Sequence, residues 1–255
     1  MNLQRFIDAK QDELARLRRC MPAPLAGARP DFLAALSAPA PAGLPLHVVA
    51  EFKRSSPSAG VINDALDPAD VARQYAAGGA SCMSVLTEEK YFTGHIRDLS
   101  AAAPAALPLL RKDFIFDELQ VRQTYATPAS ALLLIVALTP DAARLRALRE
   151  LAEEQGIHAV VEVFTPAELE LARESGARII QVNARNLETF RTDRVEGLKL
   201  AALRAPEEVW IAASAMSARP HLVDAAAAGY NAALVGTALM QPSGSPLQNL
   251  NRLRS

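Results

Sequence analysis

Two cysteines, four histidines and a net charge of −1 among 255 residues leave little material for several common kinds of site. Cys20 and Cys82 lie far apart, which is neither a disulfide framework nor a metal-binding spacing, and His47, His95, His158 and His221 form no cluster. No metal and no cofactor are expected. Lys, Arg, Asp and Glu are interspersed, which removes the long-range field that draws in nucleic acid or an anionic membrane. No apolar run approaches membrane-spanning length, and the N-terminal stretch lacks the apolar core of a signal peptide. No Pro/Ser/Gly-rich linker divides the middle of the chain. The expectation is a cytoplasmic single domain that acts on a small ligand, with no nucleic-acid or membrane partner.

What is present is a repeat of short apolar runs and helical patterns. Leu3, Phe6, Ile7, Leu14 and Leu17 fall at helical spacing among charges, so Asn2 to about Arg19 reads as one helix with one buried stripe. Residues 21–45 form an Ala- and Pro-rich connector with a short helix around Asp31 to Leu36. An extension over 1–46 can cap the bottom of a closed barrel or lean over its mouth, and both options stay open.

From Val48 onward eight strand-like runs are expected: Val48–Lys53, Cys82–Leu86, Leu109–Arg111, Ala131–Ile135, Ala159–Val163, Ile179–Asn183, Val209–Ala213 and Ala232–Gly236. Helices alternate with them near Asp67–Ala77, Ile96–Ala102, Glu118–Ala126, Asp141–Glu154, Pro166–Glu174, Glu196–Leu203, Ala218–Ala228 and Pro246–Leu253. Asp67-Pro68 places a cap before a proline at the first helical position, and Thr165-Pro166-Ala167-Glu168 adds the glutamate of a capping box. Eight such units over 47–255 predict an α/β fold, a (β/α)8 TIM barrel carrying the N-terminal helical extension, with a doubly wound open sheet as runner-up.

Barrel enzymes carry function at the C-terminal ends of their strands. That rule selects Glu51 and Lys53 after the first run, Arg111-Lys112-Asp113 after the third and Glu162 in the fifth. It also selects Asn183 and Arg185 after the sixth, Ser214 after the seventh, and Gly236-Thr237 after the eighth. Plainer readings exist for each: Glu51 and Lys53 as a solvated pair on an edge, Lys112 as a surface lysine at a loop start, Glu162 as a carboxylate facing the helices. The last would be costly to bury without a partner.

The motifs Ala50-Glu51-Phe52-Lys53-Arg54-Ser55-Ser56-Pro57-Ser58, Ser84-Val85-Leu86-Thr87-Glu88, Leu110-Arg111-Lys112-Asp113-Phe114-Ile115, Val161-Glu162-Val163, Val182-Asn183-Ala184-Arg185-Asn186-Leu187 and Leu234-Val235-Gly236 stand in one order along the chain. Together they resemble the indole-3-glycerol-phosphate synthase family of tryptophan biosynthesis. The resemblance implies a cofactor-free, decarboxylating and dehydrating ring closure of 1-(2-carboxyphenylamino)-1-deoxyribulose 5-phosphate to indole-3-glycerol phosphate by a monomeric carboxy-lyase. It implies Lys112 as the acid at the ketone oxygen, Lys53 as partner of the substrate carboxylate, with Glu51 holding the charge arrangement, and Glu162 as the base in dehydration with Asn183 beside it. Ser214 joins this catalytic set. Ser56, Pro57, Phe92, Phe114, Arg185 and Leu187 are implied as substrate contacts, and Ser214, Ala215, Gly236 and Thr237 as the phosphate site.

One departure stands out. Where the family reads Ser-Glu-Ser-Gly-Ile, this chain reads Ala212-Ala213-Ser214-Ala215-Met216, which removes a glutamate and a glycine. Glu207 and Glu208 lie at the opposite end of that strand and cannot replace the lost carboxylate. Ala215 is expected to resist the positive φ a glycine adopts easily. Gln181 stands where glycine is usual, and Ala184 separates Asn183 from Arg185. The competing hypotheses are a same-fold homologue with impaired or altered activity that binds a phosphorylated ligand, and a different phosphate-handling barrel such as an isomerase.

Overall fold

The computed structural model describes residues 3–184 and 193–254. Its centre is a closed barrel of eight parallel strands: β1 (His47–Phe52), β4 (Cys82–Leu86), β5 (Leu109–Ile115), β6 (Ala131–Ile135), β7 (His158–Val163), β8 (Ile179–Asn183), β9 (Val209–Ala213) and β10 (Ala232–Val235). Each pairs with its sequential neighbour and β10 closes on β1, with His47 opposite Ala232. The open-sheet alternative is thereby excluded. Two short strands, β2 (Ser55–Ser56) and β3 (Gly60–Val61), form a hairpin in the loop after β1.

The strands are buried on both faces, as parallel strands between side chains and helices must be. Val49, Leu110, Leu133, Val160, Ile179, Ile211 and Leu234 fill the barrel interior. Val48, Ala50 and Phe52 point the other way, into the layer shared with the helices. That layer comprises α4 (Pro68–Ala77), α6 (Arg97–Ala102), α7 (Glu118–Tyr125), α8 (Ala142–Glu153), α9 (Pro166–Glu174), α10 (Arg194–Leu200), α11 (Arg219–Ala228) and α13 (Pro246–Asn251), with four-residue helices α5 (Glu89–Phe92) and α12 (Thr237–Met240) beside the mouth. The expected starts of α4 and α9 carry their caps. Asp67 accepts from the N–H groups of Ala69 and Asp70, and Thr165 from that of Glu168. Glu168 reaches back one residue past the cap to accept from the Phe164 N–H at 2.6 Å.

The extension occupies both ends of the barrel. Phe32 and Leu36, from α3 (Phe32–Ser37), enter the interior cluster at the N-terminal end, where Asp31 meets His158 at 3.0 Å and His47 bonds the Ala38 carbonyl at 2.8 Å. Phe6, from α1 (Gln4–Ala9), lies at the C-terminal end, stacked on Phe114 with ring centroids 3.8 Å apart. The predicted single N-terminal helix is interrupted at Lys10, with α2 (Gln11–Arg19) following, and Lys10 itself is buried.

The largest correction concerns the third strand. Leu109–Arg111 was the expected extent, with the charges beginning a loop at the rim, yet β5 continues to Ile115 with a register shift against β6 between Arg111 and Ile115. Arg111 does not reach the mouth. It is buried against α7, donating to the Gln120 carbonyl and Thr124 Oγ1 at 2.9 Å each and to Gln123 Oε1 at 2.8 Å. A charged stretch remains a strand here because Arg111 and Asp113 find buried partners, while Lys112 faces the cavity. Smaller differences lie at element ends: β10 stops at Val235, and α10 ends at Leu200 before a 3-10 turn over Ala201–Leu203.

Candidate active site

The C-terminal mouth encloses a cavity of about 410 Å³. Of the residues selected from the sequence, Glu51, Lys53, Ser56, Pro57, Phe92, Lys112, Phe114, Glu162, Asn183, Ser214, Ala215, Gly236 and Thr237 all line it. Arg185 and Leu187 lie outside the described residues. The strand alternation produces the convergence, since Glu51 and Glu162 occupy inward positions on β1 and β7, Lys112 does so on β5, and Lys53 follows the end of β1.

Glu51 is almost fully buried, and its Oε1 lies 2.5 Å from Lys53 Nζ. A pair so enclosed is no solvated edge feature. Gly236 makes room for it: a Cβ there would collide with Glu51 Oε1 and stand 3.0 Å from Lys53 Nζ. Gly236→Ala is therefore expected to displace the pair and lower kcat by about tenfold or more, in line with the sensitivity of catalytic geometry to shifts near 1 Å. A steady-state assay checks this, and a wild-type rate would mean that the pair's position is unimportant.

Lys112 is half-buried in the cavity wall and has no ion pair among the described residues. Its neighbours differ. Asp113 is bound by Lys10 Nζ at 2.6 Å, Arg111 Nη2 at 3.2 Å and Thr87 Oγ1 at 2.7 Å, while Glu13 closes the ring by accepting from Lys10 and Arg111. Burial alone would push the Asp113 carboxyl up, but the Lys10 ammonium and the Arg111 guanidinium outweigh it and hold the group well below the usual carboxylate range. Burial likewise opposes the charge of Lys10, and Asp113 and Glu13 overcome it, so its ammonium titrates above the ordinary lysine value. The segment carrying Lys112 is thus clamped to α1 and α2.

On the opposite wall Glu162 is buried and accepts from Gln181 Nε2 at 2.5 Å. Asn183 and Ala213 face each other in register on β8 and β9, and Ser214 Oγ donates to Asn183 Oδ1 at 2.8 Å. Glu208 sits at the far end of β9, bonded to Arg173 and to Trp210 Nε1, and does not replace the missing carboxylate. Ser214 and Ala215 have φ of +69° and +56°. Alanine was expected to resist this conformation, but the turn imposes it, and the left-handed region costs a non-glycine residue about 1–2 kcal/mol. Ala215→Gly should relieve that strain, offset in part by the freer unfolded chain, and raise Tm by about 1 to 4 °C. Thermal unfolding measures it, and a lower Tm would show that the turn is not strained.

The aromatic side of the mouth is fixed by caps. Glu88 accepts from the N–H groups of Lys90, Tyr91 and Phe92, which fixes α5 and brings Phe92 to 6.1 Å from the Phe114 ring. Arg54 reaches across with a two-pronged bond to Asp98, 2.5 and 3.1 Å long, holding the loop after β1 against α6. Phe6, Leu86, Leu133, Ile135 and Met216 also line the cavity and were not selected from the sequence. The period-2 alternation was the available signal for Leu86, Leu133 and Ile135. For Phe6 there was only a helical stripe with no indication of what it covers. Among the described residues no three His, Cys, Asp or Glu side chains come together as metal ligands would.

Comparison with known proteins adds an independent line. The family model for indole-3-glycerol phosphate synthase matches residues 3–250. The chain is 40% identical over 233 residues to indole-3-glycerol phosphate synthase of Lacticaseibacillus casei, covering 91% of this chain and 87% of that one. It is 40% identical over 265 residues to the Micrococcus luteus protein of that name, covering 99% and 97%. Against the Arthrobacter sp. protein of that name the figure is 46% over 196 residues, covering 76% and 72%. Among solved structures, 3-hexulose-6-phosphate synthase from Salmonella typhimurium superposes with a TM-score of 0.65 at 15% identity, over 82% of this chain and 97% of that one, a likeness of fold alone.

Proposed function

The chain belongs to the indole-3-glycerol phosphate synthase family, a family of carbon–carbon carboxy-lyases, and from that membership we propose how its cavity performs the ring closure. The observation that supports the reading most is the arrival of Lys53 just past β1, Lys112 on β5 and Glu162 on β7 around one cavity of ligand size.

In this reading the aromatic carbon bearing the substrate carboxylate attacks the ketone carbon. The ketone oxygen takes a proton from the Lys112 ammonium and becomes a hydroxyl. Carbon dioxide then leaves, its bonding electrons returning to the ring and restoring aromaticity. Glu162 next removes a proton from the methylene carbon beside nitrogen, and that electron pair forms the new double bond. The hydroxyl departs as water with a proton from Lys53. A placed acid contributes about 10²- to 10⁴-fold, and fixed charge where charge develops is usually the largest catalytic contribution.

Before the first bond forms, the substrate carboxylate pairs with Lys53, which Glu51 holds in place. The anthranilate ring lies between Pro57, Phe92 and Phe114, with Phe6 covering the stack. The phosphate rests on the backbone N–H groups of Ser214, Ala215, Gly236 and Thr237, where consecutive turn residues form an anion-binding concavity. Residues 1–46 and 47–255 act as one unit, because the extension supplies part of the wall. The reading places the enzyme in the cytoplasm, working as a monomer on a small phosphorylated molecule. Among the described residues no helix is long and apolar enough to cross a membrane.

Ala213, which removes a carboxyl group from the family pattern, motivates the second reading, a homologue with impaired or altered activity. Incubating purified protein with 1-(2-carboxyphenylamino)-1-deoxyribulose 5-phosphate and following indole fluorescence separates the two. Product formation is expected. Binding without product would overturn the synthase reading and support the second.

A further inference from the structure

Gln181 lies inside the barrel on β8, fully buried, in register with Glu162 on one side and Ile211 on the other. Its Nε2 donates to Glu162 Oε2 at 2.5 Å, while its Oε1 is buried with no hydrogen-bond partner among the described residues. An unpaired buried polar atom destabilises by about 1–3 kcal/mol, so packing alone does not account for an amide here: an aliphatic side chain would fill the space without that cost. The one contact that distinguishes it from such a side chain is the one to Glu162.

We propose that Gln181 is a positioning residue for Glu162 that serves both protonation states of that carboxyl group, a role that rests on Glu162 acting as the base. With Glu162 ionised, the amide donates from Nε2, as the structure has it. When Glu162 takes a proton from the substrate carbon, the C–H electron pair stays on the substrate and Glu162 gains an O–H that needs an acceptor. A half-turn about the terminal torsion of Gln181, which is close to two-fold, presents Oε1 to that O–H without moving the backbone. One amide atom is left unpaired in either orientation, so the exchange favours neither state strongly. Charged residues would not behave this way. A lysine at 181 would lock Glu162 ionised, and a glutamate would compel the pair to share a proton. A base that must accept a proton and release it in each turnover is served by a partner able to do both.

Gln181→Met, similar in volume and without hydrogen-bonding groups, tests this in the full chain beside Glu162→Gln. Losing a hydrogen bond to a charged group predicts a fall in kcat of about 10- to 100-fold. KM should stay within about twofold and Tm should change little, because removing the unpaired Gln181 carbonyl offsets the loss of the donor to the buried Glu162 carboxylate. The decisive readout is the primary deuterium isotope effect with substrate labelled at the methylene carbon, which should grow in Gln181→Met as proton removal becomes rate-limiting. A wild-type kcat with an unchanged isotope effect would overturn the role. So would a joint loss of kcat, KM and Tm with the isotope effect unaltered, the signature of packing damage. If Glu162→Gln is inactive while Gln181→Met keeps the wild-type rate, only the inference about Gln181 fails. A Glu162→Gln variant of wild-type rate would overturn the assignment of the base and this inference with it.

Discussion

Lys112→Met is expected to lower kcat by about 10²- to 10⁴-fold while leaving affinity for the phosphorylated ligand within a few-fold. The expectation follows from what the ammonium does not do. It has no ion pair among the described residues, so its removal breaks no structural contact there, and methionine fills a similar volume in a half-buried wall. Tm should therefore stay close to wild type, in contrast to the loss of a clamped charge. In the proposed reading ligand affinity depends on other groups: Lys53 for the carboxylate, and the backbone near Ser214 and Gly236 for the phosphate. Lys112→Arg distinguishes charge from proton donation, because a guanidinium stays protonated near neutral pH and supplies charge without acid. Both variants should be slow if a proton is transferred. A methionine variant within tenfold of the wild-type rate would mean that the acid lies elsewhere, and indole fluorescence together with ligand titration decides it.

Lys10→Met is expected to be the most damaging change to stability. Lys10 is the ammonium inserted between Glu13 and Asp113, and both carboxylates are nearly enclosed. Removing one partner of a buried pair typically destabilises by about 3–5 kcal/mol, because the remaining charge stays buried. For a chain of this size that corresponds to a drop in Tm of about 6 to 20 °C. Activity should fall below the unfolding temperature as well, since α1, which brings Phe6 to the cavity, and β5, which carries Lys112, are joined through this ring of charges.

The pH dependence has a definite sign. Asp113 titrates lower in the folded protein than in the unfolded chain, so its contribution is fully present above about pH 4 and fades as pH falls toward its folded value. Lys10 titrates higher when folded, so its contribution is fully present below about pH 10.4 and is lost as pH rises through its folded value. The gap in Tm between wild type and Lys10→Met should accordingly be constant near neutrality and narrow below about pH 4. A gap that widens on acidification, or a Tm unchanged by the substitution, would remove the ion ring from the account of how the mouth is held closed.

The strand-end glutamates and lysines were legible because a barrel converts distant sequence positions into one ring, and alternation along a strand determines which of them face inward. Glu51, Glu162 and Asn183 needed only that rule to be placed on one mouth, whereas Lys112 was expected there as the start of a loop rather than as part of a strand. The extent of β5 was not legible. Arg111 and Asp113 look like the start of a loop until Glu13, 98 residues away, and Lys10 provide partners that allow them to be buried. Phe6 was likewise visible as an apolar residue and invisible as part of a site.

Periodicity and punctuation in the sequence determined the eightfold alternation of strand and helix, and the motifs at the strand ends marked residues that line the cavity, because local patterns of burial and capping are written in neighbouring residues. Tertiary structure alone decided that the extension closes both ends of the barrel, that four charges bind it over the mouth, that Ser214 and Ala215 take positive φ, and that Gln181 faces Glu162. Each of these rests on contacts between segments far apart in the chain, whose energies depend on enclosure that no single stretch of sequence contains.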